Sequence, residues 1–452
     1  MLTTLAVLGA GGDLTGRYLL PALVRLAAAD ELPAAIRIVG VDRAPGDDTS
    51  FRAEARERLD RHLPDRDTRR CEEVLERLCY RQADVTSPDD LDAALGDLPA
   101  PLAVYLALPN AVFSGAVDAL TRIGLPERTT LVCEKPFGTG LADARQLNEA
   151  IRRGFGEQDV FRIDHFLAKQ TVLNVLGLRF ANRVFEPVWN SGHIERVDIV
   201  WDESLGLEGR AGYYDRAGAL RDMIQNHLLQ LLALVAMEPP TSLSERDLRD
   251  RKCDVLRAVT VPQPHEMNTK TRRARYTAGR VGGQDLPAYV DEEGVDPSRG
   301  TETYAEVTLQ VQNWRWAGVP FHLRTGKALA GERREITVHF RPVPHHPFDD
   351  RGTPDLLRFT LEPDRIAIEI NLNGAGEPFE LERATLAARF AEQQLPPYSL
   401  LLREIMERDP TLSIRGDEAE ESWRIVEPIL AAWAADEVPL GEYPAGSAGP
   451  AC

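Results

Sequence analysis

Residues 4–14, TLAVLGAGGDL, join a short apolar run directly to a glycine-rich turn, and an amphipathic run, LLPALVRLAAA, follows before a second apolar run, IRIVGVD. Strand, tight turn, helix and strand in that order make a βαβ unit, which commits the chain to a parallel sheet covered by helices. The glycines of GAGGDL let a backbone approach closely, and the helix that opens behind them offers N–H donors and positive potential. The turn therefore reads as a pyrophosphate cradle with Gly9, Gly11, Gly12, Asp13 and Leu14 as candidate contacts, although Leu14 occupies the place of the third glycine in GxGxxG. Taken alone the motif is weak, because such a turn also serves as a plain tight connection.

Further strands at LAVYLAL (102–108) and TLVCEKP (130–136), with helical patterns between, extend the unit into a doubly wound, Rossmann-like parallel sheet over residues 1–160. Asp42 and Arg43 end the second strand, where the adenine ribose of a dinucleotide lies. They argue opposite cases. An acid bonds the free 2′-hydroxyl of NAD and repels the 2′-phosphate of NADP, whereas an arginine welcomes that phosphate. Dual use or a lean toward NAD is expected, and the plain alternative is that Asp42 caps a turn.

Beyond residue 160 the pattern changes. Alternating segments at 196–204, 304–314, 335–342, 357–363 and 365–372 predict a mostly antiparallel sheet, with long helices at 218–237 and after 380. The fold class is thus α/β plus α+β, with a larger second domain over 161–446. The segment 341–355 reads as a proline-rich surface loop whose His345–His346 pair is solvated, and the Gly/Pro/Ala tail at 443–452 as frayed.

Composition excludes several classes. No apolar run approaches the ~20 residues of a bilayer span, and the first apolar run passes straight into the turn, so it reads as a strand rather than an export signal. Five cysteines without CxxC spacing disfavour both a disulfide framework and a metal site, which fits a reducing cytoplasm. A net charge of −18 repels nucleic acid and anionic membranes. Any anionic ligand must be held by a local cationic cluster.

Of 53 basic residues only Lys135, Lys169, Lys252, Lys270 and Lys327 are lysine. Where only charge matters, drift toward arginine is harmless, but a compact ammonium and a wide guanidinium fork differ in a tight site. The remaining lysines are therefore suspects, with chance retention an equal alternative for Lys252 and Lys270.

Lys135 falls in EKPFG (134–138), Lys169 in FRIDHFLAKQ (161–170) and Lys327 in HLRTGKAL, motifs that resemble those of the glucose-6-phosphate dehydrogenase family. GAGGDLTGRYLLPAL resembles its GASGDLAxRKLxPAL start, EKPFG (134–138) matches outright, and FRIDHFLAKQ (161–170) resembles RIDHYLGKE. WDESLGLEGRAGYYDRAGALRDMIQNHLLQ (201–230), KCDVLRAV, TETYAEV and HLRTGKAL follow in family order across nearly the whole chain. The resemblance implies a dehydrogenase that oxidises C1 of a hexose 6-phosphate to a lactone and passes hydride to NADP or NAD. It also implies glucose metabolism and the pentose phosphate pathway, and a homodimer or dimer of dimers.

It assigns residues as well. His227 matches the general base and Asp164 the acid that orients it; without the family, His227 shares an α-helical face with Leu220, Met223 and Leu231 like a core histidine, and Asp164 is a helix N-cap. Asp222, five positions before His227, falls off that α-helical stripe. Asp222 and Glu203 match residues on sugar hydroxyls, though both have ordinary salt-bridge alternatives. Lys135, His165, Lys169 and Lys327 match phosphate contacts, with Arg333 or Arg334 as a further one, and Lys135 is shared with the cofactor. Pro136 matches a proline that the family often holds cis.

Two departures bear on substrate. Phe166 replaces a tyrosine whose hydroxyl touches the phosphate, and Glu362 stands where the family commonly shows glutamine near the sugar. A carboxylate there favours a cationic substituent, so an amino sugar 6-phosphate is the alternative substrate. A binding protein without turnover is the alternative from another class.

Overall fold

The computed structural model describes residues 1–209, 211–348, 352–377, 379–391 and 393–451. The chain forms two compact units, the first comprising Met1–Lys169, Pro240–Arg249 and Gln393–Glu420, the second Gln170–Pro239, Asp250–Glu392 and Glu421–Cys452. The first unit holds six parallel strands: β1 (Thr4–Leu8), β2 (Arg37–Asp42), β3 (Leu78–Gln82), β4 (Leu102–Leu106), β5 (Thr130–Glu134) and β6 (Val160–Ile163). Their order is β3-β2-β1-β4-β5-β6. Central β1 and β4 are buried at every residue, as strands must be when helices cover both faces. Helix starts are marked locally: Asp47 accepts from Ser50 N–H at 2.8 Å to open the helix Asp48–His62.

A single cut near residue 160 does not describe this division, and buried charge shows why. The Arg162 guanidinium is held by Glu157 (2.6 Å) and Asn148 (2.8 Å). Asn148 in turn donates to the Gly416 carbonyl, and the Gly416 N–H donates to Glu157, both at 2.9 Å. Breaking one partner of such a buried network leaves an uncompensated charge, a cost of about 3–5 kcal/mol. Residues 393–420 therefore belong with a sheet laid down some 250 residues earlier, a relation carried by no local periodicity.

The second unit is built on β7 (Ile194–Asp202), β8 (Val259–Thr260), β9 (Thr271–Thr277), a small hairpin of β10 (Gly279–Val281) and β11 (Gln284–Leu286), then β12 (Tyr304–Val311), β13 (Pro320–Gly326), β14 (Arg333–Phe340), β15 (Leu356–Leu361), β16 (Asp364–Asn373), β17 (Leu381–Arg389) and β18 (Leu440–Pro444). All but the hairpin form one sheet in the order β17-β16-β15-β14-β7-β13-β12-β9-β18, with β8 beside β12. It is antiparallel except where β13 meets β7 and β18 meets β9. The alternation seen in sequence becomes alternating burial along β12, β13 and β15.

Three expectations change. The first helical element after 380 is preceded by a strand, β17, and helices follow at Pro397–Glu407 and Gly416–Ala434. The long helix at 218–237 is broken into three pieces. The tail is anchored rather than frayed: Tyr443 is 1% exposed, and its hydroxyl donates to the Lys327 carbonyl at 2.6 Å. Gly446 N–H donates to Ala328 and Ala330 N–H to Ser447, each at 2.8 Å. Positions 349–351 of the expected loop, Arg210 of the long motif and Cys452 lie outside the described residues. Among those described, no helix is long and apolar enough to cross a membrane.

The anchored tail makes a test. Tyr443→Ala should cost about 3–5 kcal/mol of stability, as truncation of a buried aromatic does, and Tyr443→Phe about 1 kcal/mol for the lost hydrogen bond. Urea unfolding curves of the two variants against the parent check both values.

Candidate active site

In the first unit the chain leaves β1 at Leu8 and turns at Gly9, whose φ is +86°. A Cβ there would stand 2.3 Å from the Ala107 carbonyl oxygen, so only glycine fits. The Gly12 N–H donates back to Gly9 at 2.9 Å, and a Cβ on Gly12 would lie 3.1 Å from that same oxygen. Arg58, which sequence reading passed over, donates to the Gly11 and Gly12 carbonyls at 2.6 and 2.8 Å. The turn sits at the carboxyl ends of neighbouring β1 and β4, where the strand order reverses, which is where open α/β sheets hold ligands. Exposed Gly11 and Asp13 and half-buried Gly12 and Leu14 lead into a wide π-type turn, Thr15–Leu19, before the helix Leu20–Ala28. A backbone cradle without side chains fits a dinucleotide pyrophosphate.

Asp42 already works within this turn: its carboxylate accepts the Gly11 N–H at 2.9 Å. The plain alternative, a turn cap, is thus present, and the second carboxylate oxygen lies 3.5 Å from the Ala44 N–H. Arg43 is exposed and makes no ion pair among the described residues.

The EKP and RIDH motifs end adjacent strands, β5 and β6. The Lys135–Pro136 peptide is cis. Beside it, Glu134 accepts the Tyr105 hydroxyl at 2.5 Å. Burial pushes its carboxyl up to about 7, opposed by the hydrogen bonds from Tyr105 and Tyr398 and by the Lys135 charge. Asp164, 1% exposed, caps the short turn His165–Ala168 by accepting the Phe166 N–H at 3.0 Å. The His165 ring stacks on Tyr398 at 5.7 Å and Tyr398 on Tyr18 at 4.9 Å. Phe166 is buried, meets His165 edge-on at 5.1 Å and carries the Lys169 ammonium 5.5 Å above its ring. Its ring thus keeps a cation–π seat for Lys169. Glu134, Tyr105 and Tyr398 were missed in sequence; the signal available was a carboxylate ending an otherwise apolar strand, TLVCE.

In the second unit a kink at Gly218 (φ +70°) closes the helical segment Ala211–Ala219. Residues Leu220–Leu228 then form a π-helix, and Leu229–Ala236 return to α. An i→i+5 ladder widens each turn, so Asp222 and His227, five apart, lie one turn apart on one face. The α-helical spacing that set them on different stripes does not apply here. His227 is 2% exposed, and the Tyr213 hydroxyl lies 3.4 Å from Asp222. Such π segments are rare and recur at functional sites.

On the sheet, Lys327 pairs with Glu203 at 2.6 Å and stands 5.2 Å from the Tyr214 ring centroid. Arg334 lies opposite Trp201 across β14 and β7, stacks on its indole at 5.0 Å and pairs with Glu362. Arg333 points to the other face, where it pairs with Glu335 at 2.8 Å. Arg333 and Arg334 thus stand on opposite faces of β14, Arg334 on the face that Trp201 shares. Glu362 sits in the two-residue turn between β15 and β16, before a cis Pro363.

Family models describe both parts of the chain: residues 6–174 match "Glucose-6-phosphate dehydrogenase, NAD binding domain" and 176–452 match "Glucose-6-phosphate dehydrogenase, C-terminal domain". The chain belongs to the glucose-6-phosphate dehydrogenase family. It is a dehydrogenase of the sugar-phosphate class and uses a nicotinamide dinucleotide. Glucose-6-phosphate 1-dehydrogenase of Mycolicibacterium smegmatis is 42% identical over 98% of this chain and 93% of its own. That of Rhizobium meliloti is 40% identical over 98% and 94%. Among solved structures, the enzyme from Mycobacterium avium superposes with a TM-score of 0.88 at 32% identity, over 100% of this chain and 96% of that one. A glucose-6-phosphate dehydrogenase in complex with its substrate glucose-6-phosphate gives 0.90 at 30% identity, over 99% and 95%.

The raised carboxyl of Glu134 has a measurable consequence. A carboxyl near 4.5 when unfolded and about 7 when folded stabilises the protein below pH 4.5, and that contribution is lost as pH rises toward 7. Stability of the parent should therefore fall relative to Glu134→Gln between pH 5 and 8, by roughly 3 kcal/mol for a shift of this size. Denaturant unfolding of both proteins at the two pH values reads the difference.

Proposed function

We propose that this protein oxidises glucose 6-phosphate at C1, with His227 taking the hydroxyl proton as hydride leaves, to give the phosphogluconolactone. The observation that carries the reading is the π-helix, which sets a buried imidazole and the Asp222 carboxylate on one face. A neutral imidazole suits proton abstraction near pH 7. Asp164, buried and fixed by its backbone bond, is the acid assigned to steady the protonated ring. Bound dinucleotide supplies the hydride acceptor at its nicotinamide.

Lys135, His165, Lys169, Lys327 and Arg334 take the phosphate, and Glu203 and Asp222 the sugar hydroxyls. Glu203 and Lys327 enter this role already paired, so each fixes the other's rotamer before a ligand arrives. The amino sugar alternative loses its ground at Glu362, whose charge is matched by Arg334. Exposed Arg43 supports use of NADP, and Asp42, committed to Gly11, supports NAD less than a free acid would; dual use is the reading. A homodimer or homotetramer in the cytoplasm, serving the pentose phosphate pathway, completes it.

A steady-state assay at 340 nm with glucose 6-phosphate and each dinucleotide tests the core of this reading. His227→Asn should lower kcat by about 10²–10⁴-fold, the usual worth of a positioned base, while KM changes little; unaltered turnover would overturn the assignment. Phe166→Tyr should lower KM for glucose 6-phosphate by roughly ten- to a hundred-fold, the worth of one hydrogen bond to a charged group. An unchanged KM would show that this ring edge does not face the phosphate.

A further inference from the structure

A cationic hollow lies within the second unit, lined by residues other than those assigned to substrate and dinucleotide. It is a cavity of about 450 Å³ bordered by Arg216, Arg221, Arg273 and Arg299, with Trp433 and Glu302 in its wall. In a chain of net charge −18, four guanidinium groups around one hollow make a local field of the opposite sign.

Arg299 is paired with Asp215 at 3.2 Å and with Asp296 at 3.4 Å, and the bonding of the other three leaves donors to spare. Arg216 is exposed and makes no ion pair among the described residues. Arg221 gives one hydrogen bond, to the Ala217 carbonyl at 3.2 Å. Arg273 is 9% exposed, donates from Nε to Val438 (2.7 Å) and from one Nη to the highly exposed Asp436 (2.8 Å), and keeps its other Nη. The two carboxylates in the wall are committed. Asp215 accepts the Tyr289 hydroxyl at 2.7 Å, the Asp296 N–H at 3.1 Å and Arg299 at 3.2 Å. Glu302 accepts the Leu220 N–H at 3.0 Å. Burying an arginine such as Arg273 costs several kcal/mol without full pairing, and a planar fork is the group best suited to phosphate oxygens. The volume falls within the ~300–1,000 Å³ range of small-molecule pockets, and the Trp433 ring gives an organic body something to lie against.

The geometry points to a binding site for a small phosphate ester in this cavity, held by Arg216, Arg221, Arg273 and Arg299 and coupled through Glu302 to the π-helix. Glu302 is the link because it lies against two of these arginines electrostatically and bonds the first N–H of the helix that carries Asp222 and His227. An anion that draws the arginines inward alters the field on the carboxylate that holds that helix end. The coupling rests on the proposed catalytic role of His227, whereas the binding does not.

Calorimetric titration of the full-length protein with inorganic pyrophosphate, in saturating glucose 6-phosphate and reduced dinucleotide so that both assigned sites are filled, tests the site. One equivalent should bind, and Arg216→Glu and Arg221→Gln should each weaken it at least about tenfold, the loss expected for one charge-assisted bond, while Lys169→Met leaves it unchanged. No binding, or affinity unchanged from the parent in both arginine variants, overturns the site. Bound pyrophosphate should shift KM for glucose 6-phosphate in the parent but not in Arg216→Glu. Arginine-dependent binding with an unmoved KM overturns the coupling alone, and failure of the catalytic reading, seen with His227→Asn, leaves the titration untouched.

Discussion

A carboxylate set into a notch where no side chain can stand organises the helix that bears His227. Glu302 accepts the Leu220 N–H, and its own carbonyl accepts the Ala219 N–H at 3.1 Å. A Cβ at Gly218 would come 2.4 Å from the Glu302 carboxylate, so glycine with positive φ is the only way to bring strand-end and helix-start together. The kink ends one helix and starts the next in a new phase. Buried Glu302 has its carboxyl raised by burial, an effect countered by the hydrogen bond from Leu220 and by Arg221 and Arg273. Without that carboxylate the first N–H of the π segment, that of Leu220, would lie buried and unmatched.

The same economy operates at the glycine turn. Val41 accepts from both Gly9 and Ala10 N–H, at 2.8 and 3.2 Å, while Asp42 takes the Gly11 N–H. The end of β2 thus shapes the turn after β1, and a residue expected to read a ribose also braces the backbone expected to cradle a pyrophosphate. Arg58 closes the far side by filling the two carbonyls. The cradle is held by two elements, β2 and the helix Asp48–His62, neither of them contiguous with it.

What could be read from sequence depends on how each feature is encoded. β1, β2, β4 and β5 were visible because buried parallel strands are continuous apolar runs, and β12 and β15 because one-sided burial forces alternation. The return of 393–420 to the first unit was hidden, since the bonds of Arg162, Asn148 and Gly416 are polar and distant in sequence. The tail misled because Gly, Pro and Ala also suit a chain turning at a sheet edge, as it does after Tyr443. Candidate residues were found by motif, but Asp222 and His227 were set apart by assuming a period of 3.6 where the helix runs wider. Placing Arg333 and Arg334 on opposite faces needed the register of β14 on β7.

The scarcity of lysine finds a physical reason in the seats of those that remain. Lys327 reaches Glu203 from the edge of β13 with its ammonium over the Tyr214 ring, and Lys169 lies over Phe166. Lys252 is buried with its ammonium on Gln230 at 3.1 Å, a seat within the core that accounts for its retention without a ligand. In each case a single compact charge sits against a ring or an amide at the end of a flexible stem. A guanidinium there would present a wide plane, with donors at fixed angles that these partners cannot all match. Where flat surfaces and paired oxygens are offered, as at Trp201 and Glu362, the chain uses arginine instead.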